Sequence, residues 1–253
     1  MAFRAFRVEK NESGFVRSVI ERDVEDLPEG EVLIDVQYSS LNYKDALSAT
    51  GNPGVTRAFP HTPGIDAAGS VLASTDTRFA EGDAVVVIGF DLGMGTSGGF
   101  AERIRVPANW VVKLPEGLTA RESMLIGTAG FTAAECVHKL EQAGMTPDSG
   151  PILVTGATGG LGSVAVKLLA TLGYEVAAVT GKPEQHDWLR SLGASELLTR
   201  EAAAEGAEKP LLAERWGGVV DTVGGDILFN GVKSLRYGCS LAACGLVLSL
   251  IHI

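Results

Sequence analysis

The chain has 253 residues, 45% of them apolar and 21% charged, with a formal net charge of −10. That length accommodates two domains, or one large one, around a sizeable core, and the composition excludes a disordered chain. The acidic surplus argues against a nucleic-acid or anionic-membrane binder, either of which would present a basic surface.

From the start, MAFRAFRVEK interleaves charge with apolar residues and lacks the apolar stretch of a secretory signal. In EVLIDVQYSS, the alternation of Val32, Ile34, Val36 and Tyr38 with polar neighbours predicts one face of a strand. Residues 83–90 (DAVVVIGF) and 103–115 (RIRVPANWVVKLP) read as further strands between Gly, Pro and Asp turns. An irregular, barrel-like β domain is expected here.

At Leu118 the pattern changes. Thr119 and Glu122 have the spacing of a capping box, and residues 122–144 read as helix. PILVT (151–155) is a short apolar strand, followed by a glycine loop and then by a helix, GSVAVKLLATLG (162–173). In that helix Val164, Ala165, Leu168, Leu169 and Leu172 form one stripe, with Lys167 facing away. YEVAAVT (174–180) completes a βαβ unit, and GGVVDTVGG and SLAACGLV read as later parallel strands of the same sheet. LTREAAAEGAEKP (198–210) reads as a solvated helix or loop. The three cysteines, Cys136, Cys239 and Cys244, make no disulfide framework and are expected to pack as small hydrophobes in a reducing compartment, the cytoplasm. No span is long enough to cross a bilayer.

The glycine loop carries the most chemistry. Gly156, Gly159, Gly160 and Gly162 lie between a strand and a helix, where missing side chains admit a pyrophosphate to the free amides of the helix start. Their spacing departs from G-x-G-x-x-G, and the plain alternative is a tight turn without ligand. The βαβ context favours a dinucleotide, with Thr158, Gly159, Gly160, Leu161 and Gly162 as contacts. An NAD site would end the second strand in a carboxylate. Here it ends Thr180-Gly181-Lys182, with none before Glu184, a set suited to a 2′-phosphate, and Arg200 is a candidate second cation. NADPH is the expected cofactor; the alternative for both cations is simple exposure to solvent.

The segments SSLNYKDAL (39–47), FPHTPGIDAAGSV (59–71), RFAEGDAVVVIGF (78–90), IGTAGFTA (126–133), VTGATGGLGS (154–163), DTVGG (221–225) and AACGL (242–246) occur together and in order. In them the chain resembles the quinone-oxidoreductase branch of the medium-chain dehydrogenase/reductase superfamily, within it the acryloyl-CoA reductase group. The resemblance implies an α/β protein: a GroES-like β-rich domain (1–120), then a doubly wound Rossmann domain (121–247), with the active site in the cleft between them. It also implies a continuation after Leu246, which should start a loop over the nicotinamide. On this reading the Rossmann domain is truncated and Leu248 to Ile253 (LSLIHI) form a non-native tail, such as CTGTCTCTTATACACATC from a sequencing-library transposon end encodes. The truncated chain is expected to bind cofactor poorly, and a complete chain is expected to form a homodimer.

Zinc-dependent relatives use a cysteine, a Gly-His-Glu segment and a further cysteine. Here Tyr43 or its neighbours hold the first position, Gly64-Ile65-Asp66 replaces the second, and no cysteine precedes Cys136, so no metal is expected. An acceptor that needs no Lewis acid is an activated alkene or a quinone: an enone, an enoyl-CoA such as acryloyl-CoA, or a benzoquinone. Tyr43 is the candidate proton donor, with nicotinamide binding or simple packing as alternatives; Asn42 and Asp66 are weaker catalytic candidates. Lys44 and Arg57 are candidates for CoA phosphates. The function expected is NADPH-dependent reduction of an activated double bond. The rival readings are a quinone oxidoreductase and a non-catalytic NADPH-binding protein or inactive fragment.

Overall fold

The computed structural model describes residues Met1–Gly245; the expectations for Leu246, for the strand end at Val247 and for the tail 248–253 lie outside them. The chain divides into two compact units, the first Met1–Thr128 and the second from Ala129 onward.

The first unit opens with β1 (Ala2–Asn11) and β2 (Gly14–Asp23), an antiparallel hairpin closed through Gly14 at a φ of 117°. The charge-interleaved N-terminus is thus a strand. Then come β3 (Val32–Tyr38), the short helix α1 (Tyr43–Ala49), β4 (Asp66–Ser74), β5 (Ala84–Ile88), β6 (Arg103–Val106) and β7 (Val111–Lys113). The last five strands form an antiparallel sheet in the order β6-β3-β4-β5-β7. Val32, Ile34, Val71, Val85, Val87 and Ile104 close its core. Burying each such side chain stabilises by about 1.5–3 kcal/mol, so a slip in register is strongly disfavoured. Register is what sets Asp66, the first residue of β4, at its place opposite Ile88. Tyr38, the last residue of β3, is exposed, and the pairing with β4 shifts register between Val36 and Tyr38.

Helix α2 (Ala120–Gln142) starts as the capping pair predicts. Glu122 accepts from Thr119 N at 2.9 Å, and Thr119 Oγ1 accepts from Glu122 N at 3.2 Å. The helix is not continuous, however. Gly127 interrupts it at φ 51° and ψ −163°, where a β-carbon would lie 2.5 Å from Ser40 Oγ and 2.8 Å from Asp66 Oδ2. Periodicity cannot reveal this break, because apolar spacing continues through it.

The second unit continues with β8 (Ile152–Val154), α3 (Gly160–Thr171), β9 (Val176–Val179), α4 (His186–Leu192), β10 (Glu196–Leu198), α5 (Arg200–Ala204), β11 (Gly218–Asp221), α6 (Gly225–Lys233) and β12 (Leu241–Ala243). Among the described residues its strands, in the order β10-β9-β8-β11-β12, are parallel, so the sheet is doubly wound as expected. The buried face of α3 is Gly162, Ala165, Val166 and Leu169, rotated from the predicted stripe; Leu172 caps the helix and is exposed. The direction of winding reverses between β8 and β11, and at such a point the loops leaving the carboxyl ends diverge to leave a crevice. Among the described residues no helix is long and apolar enough to cross a membrane.

Candidate functional site

At the reversal point, the loops after β8 and β11 line one cavity of about 330 Å³ with Gly156, Thr158, Gly159, Lys182, Arg200, Thr222, Val223 and Ile227. The glycines of the loop serve different ends. Gly156 sits at φ 60°, where a β-carbon would lie 2.2 Å from Thr222 Oγ1; at Gly162 it would lie 2.3 Å from the Gly156 carbonyl oxygen. Those two are glycines because the chain packs on itself. At Gly160 the nearest atom to a β-carbon is Ala129 Cβ at 3.5 Å, and at Gly159 it is the Gly156 oxygen at 3.2 Å. Neither has a positive φ. Internal packing gives little reason for glycine at 159 and none at 160, the start of α3, whereas a phosphate approaching the backbone does.

Of the expected cofactor contacts, Thr158, Gly159, Lys182 and Arg200 meet in the cavity. Gly160 is exposed beside the cavity lining but not part of it, Gly162 is consumed in helix-to-loop packing and Leu161 packs against the core, so none of the three lines it. Thr180 is buried; its hydroxyl lies 3.3 Å from Thr158 Oγ1 and accepts from Lys182 N at 3.1 Å, which fixes the turn. Gly181 makes room for Arg200, whose Nε would lie 2.7 Å from a β-carbon there. Arg200 itself is the first residue of α5, started by Thr199, whose hydroxyl accepts from Ala202 N. Among the described residues neither Lys182 nor Arg200 forms an ion pair. Sequence reading missed Thr222, Val223 and Ile227, because only the sheet order brings β11 beside β8.

In the first unit, Asp66 is fully buried. Its Oδ2 accepts from Asn42 Nδ2 and from Thr128 N, each at 2.9 Å, and its Oδ1 from Thr128 Oγ1. These three donors are neutral groups of the fold, and through them Asp66 holds the loop at Gly127 and Thr128. Asn42 is likewise committed, as the residue before α1, to Asp66. Asp45, absent from the expected site, is the second clamp. It accepts from Asn42 N at 2.8 Å, Gly64 N at 3.1 Å and Ile65 N at 2.9 Å. Burial pushes its carboxyl up, against those hydrogen bonds. Between the clamps α1 begins at Tyr43, whose side chain is 70% exposed. An apolar cavity of about 520 Å³ lies along α1, lined by Phe6, Leu41, Ala46, Ala49 and Phe100 with Asn42 and Asp45. Lys44 and Arg57 are exposed, and Arg57 shares a surface hollow with Asp91.

The donor set does not suit zinc. Ile65 offers no ligand atom, Asp66 is spent on Asn42 and Thr128, and His61 bonds the Gly93 carbonyl through Nε2 at 2.8 Å. Burial holds the His61 imidazole below its usual value. Of the cysteines, Cys136 is buried and Cys244 half-buried, its thiol donating to the Asp221 carbonyl. The hydrogen bond with Cys136, and then burial, push the Cys244 thiol up, away from a reactive thiolate.

Residues 28–116 match the family model of the alcohol dehydrogenase GroES-like domain, and residues 160–252 that of the zinc-binding dehydrogenases. The chain is 49% identical to the acrylyl-CoA reductase AcuI of Ruegeria pomeroyi, over 96% of this chain and 74% of that one. It is 47% identical to the putative quinone oxidoreductase YhfP of Bacillus subtilis, over 96% of this chain and 74% of the relative. A crystal structure of YhfP with NAD bound superposes with a TM-score of 0.95, covering 98% of this chain and 76% of that one. The YhdH oxidoreductase of Salmonella enterica, solved in complex with NADP, is 48% identical and superposes at 0.94, over 97% and 75%.

Proposed function

Because this chain belongs to the medium-chain dehydrogenase/reductase superfamily, in the acryloyl-CoA reductase group of its zinc-free quinone-oxidoreductase branch, we propose that it uses NADPH to reduce an activated carbon–carbon double bond, that of acryloyl-CoA or a similar short enoyl-CoA. The observation that carries the cofactor is the pair Lys182 and Arg200, cations without an ion pair among the described residues, in one cavity with the backbone of Gly159. Two cations and, among the described lining residues, no carboxylate favour a 2′-phosphate over a ribose hydroxyl. The relatives solved with NADP and named acrylyl-CoA reductase support the same reading.

The bound dihydronicotinamide supplies a hydride to the β-carbon of the acceptor. The chain's part is to bind, orient and stabilise the developing enolate oxygen. Tyr43 has an exposed phenol for that hydrogen bond and for the proton needed at the α-carbon. Asp45 and Asp66 fix the backbone on which it stands. Tyr43→Phe is expected to lower kcat on acryloyl-CoA and leave the NADPH Kd unchanged; a raised NADPH Kd with kcat kept assigns the phenol to the nicotinamide instead. The likeness to YhfP favours a second reading, electron transfer to quinones. Steady-state kcat/KM with acryloyl-CoA and with a benzoquinone separates the two. A much larger value for the quinone rejects the first reading, and cofactor binding without turnover of either acceptor rejects both.

A further inference from the structure

We propose that Thr155 and Asp221, neither of which touches the cavity, are the positioning residues that set the glycine loop for a pyrophosphate. Both are fully buried. Thr155 is the residue after β8, and its Oγ1 donates to Asp221 Oδ1 at 2.6 Å across the reversal point of the sheet. The other Asp221 oxygen accepts from Gly224 N at 2.9 Å, just before α6. Thr155 Oγ1 in turn accepts from Thr222 N at 2.9 Å, and Thr222 Oγ1 donates to the Thr155 carbonyl at 2.9 Å. The Asp221 carbonyl takes Cys244 N at 2.9 Å and Gly245 N at 3.2 Å, which ties in the chain beyond β12.

These bonds lock two loops into one frame, and both loops line the same cavity: Gly156, Thr158 and Gly159 from one, Thr222 and Val223 from the other. The loop needs an outside hold. It turns at Gly156 with a positive φ against Thr222, between the backbone bonds Thr155 N to the Val220 carbonyl and Ala157 N to the Val179 carbonyl, each at 3.0 Å. A glycine-rich turn has many accessible conformations, and only one of them aims its amides at a phosphate. The frame removes that freedom before the ligand arrives. Lys182 and Arg200, which face the 2′-phosphate in the reading above, lie outside the frame.

That separation makes the inference testable, and although it rests on the cofactor reading, the two fail differently. Thr155→Val keeps the shape and removes the hydroxyl; Thr155→Ser restores it; Asp221→Asn replaces one acceptor oxygen by a donor. Isothermal titration of each with NADPH, NADH and 2′-AMP, which lacks a pyrophosphate, gives the pattern. Thr155→Val and Asp221→Asn are expected to raise Kd for NADPH and NADH by the same factor, roughly tenfold for one lost buried hydrogen bond. The Kd for 2′-AMP should stay unchanged, and Thr155→Ser should lie near the parent. Should Thr155→Val not fold, Asp221→Asn carries the same expectation and Thr155→Ser the same control. Unchanged NADPH affinity in a folded Thr155→Val or Asp221→Asn overturns the proposal, as does an equal loss for 2′-AMP, which would mean a general distortion. A parent protein that prefers NADH overturns the 2′-phosphate reading alone; the equal-factor result then still supports the frame.

Discussion

The two kinds of glycine in the loop make opposite predictions when each is changed to alanine. At Gly160, the first residue of α3, an added methyl meets only Ala129 Cβ at 3.5 Å, ordinary contact. Alanine loses less chain entropy than glycine on entering a helix, by up to about 1 kcal/mol in an interior; at a first turn roughly half of that is reasonable. Gly160→Ala is therefore expected to stabilise the ligand-free protein by about 0.5 kcal/mol, a rise of roughly 1–2 °C in Tm for a chain of this size. The same methyl stands where a pyrophosphate would approach the helix start, and displacing one charge-assisted hydrogen bond costs about 1.5–3 kcal/mol, or roughly 10- to 100-fold in NADPH Kd. Gly156→Ala is the converse: a φ of 60° and a β-carbon 2.2 Å from Thr222 Oγ1 make it destabilising by at least about 1–2 kcal/mol. Differential scanning calorimetry without ligand and titration with NADPH read both effects. A Gly160→Ala protein that is less stable refutes the claim of open space, and one that binds NADPH as tightly as the parent refutes the claim that a phosphate fills it.

Three more outcomes follow from the geometry. Lys182→Ala and Arg200→Ala should each raise the NADPH Kd about tenfold while leaving NADH unchanged, with the NADPH loss shrinking at high salt; equal losses for both cofactors would place these cations elsewhere. Asp45→Ala strands the amides of Asn42, Gly64 and Ile65, at about 1 kcal/mol or more each, so Tm should fall by roughly 6–12 °C, and an unchanged Tm would show that water replaces the carboxylate. The Tyr174 phenol, donating to Glu141 Oε1 at 3.0 Å, is pushed up to about 12, by burial first and then by that neighbour. A group with a raised folded value stabilises fully below its unfolded value of about 10 and loses that contribution as pH rises through the folded value. Tm of the parent should therefore fall more steeply than that of Tyr174→Phe between about pH 10 and 12, and parallel curves would count against the linkage.

The sequence by itself determined which chemistry is present. A strand, a glycine loop and an amphipathic helix can be read locally, because 2- and 3.6-residue periodicities and capping pairs act within a few residues of one another. The absence of a carboxylate between Thr180 and Glu184 is likewise a fact of order along the chain. Tertiary structure decided which residues meet. Thr222 and Val223 line the cavity with Gly156 only because β11 pairs with β8, some 65 residues away in sequence, and Thr155 reaches Asp221 for the same reason. It also sorted residues that look alike in sequence. Gly156 and Gly160 are both loop glycines, yet one is pinned by Thr222 and the other has Ala129 Cβ, at 3.5 Å from an added methyl, as its nearest neighbour. Asp45 and Asp66 are two ordinary acids in sequence, and burial among backbone and amide donors makes both of them clamps. A residue's type fixes what it is able to donate, accept or exclude; whether that capacity is spent on the fold or left for a ligand depends on non-local contacts, which no short window of sequence contains.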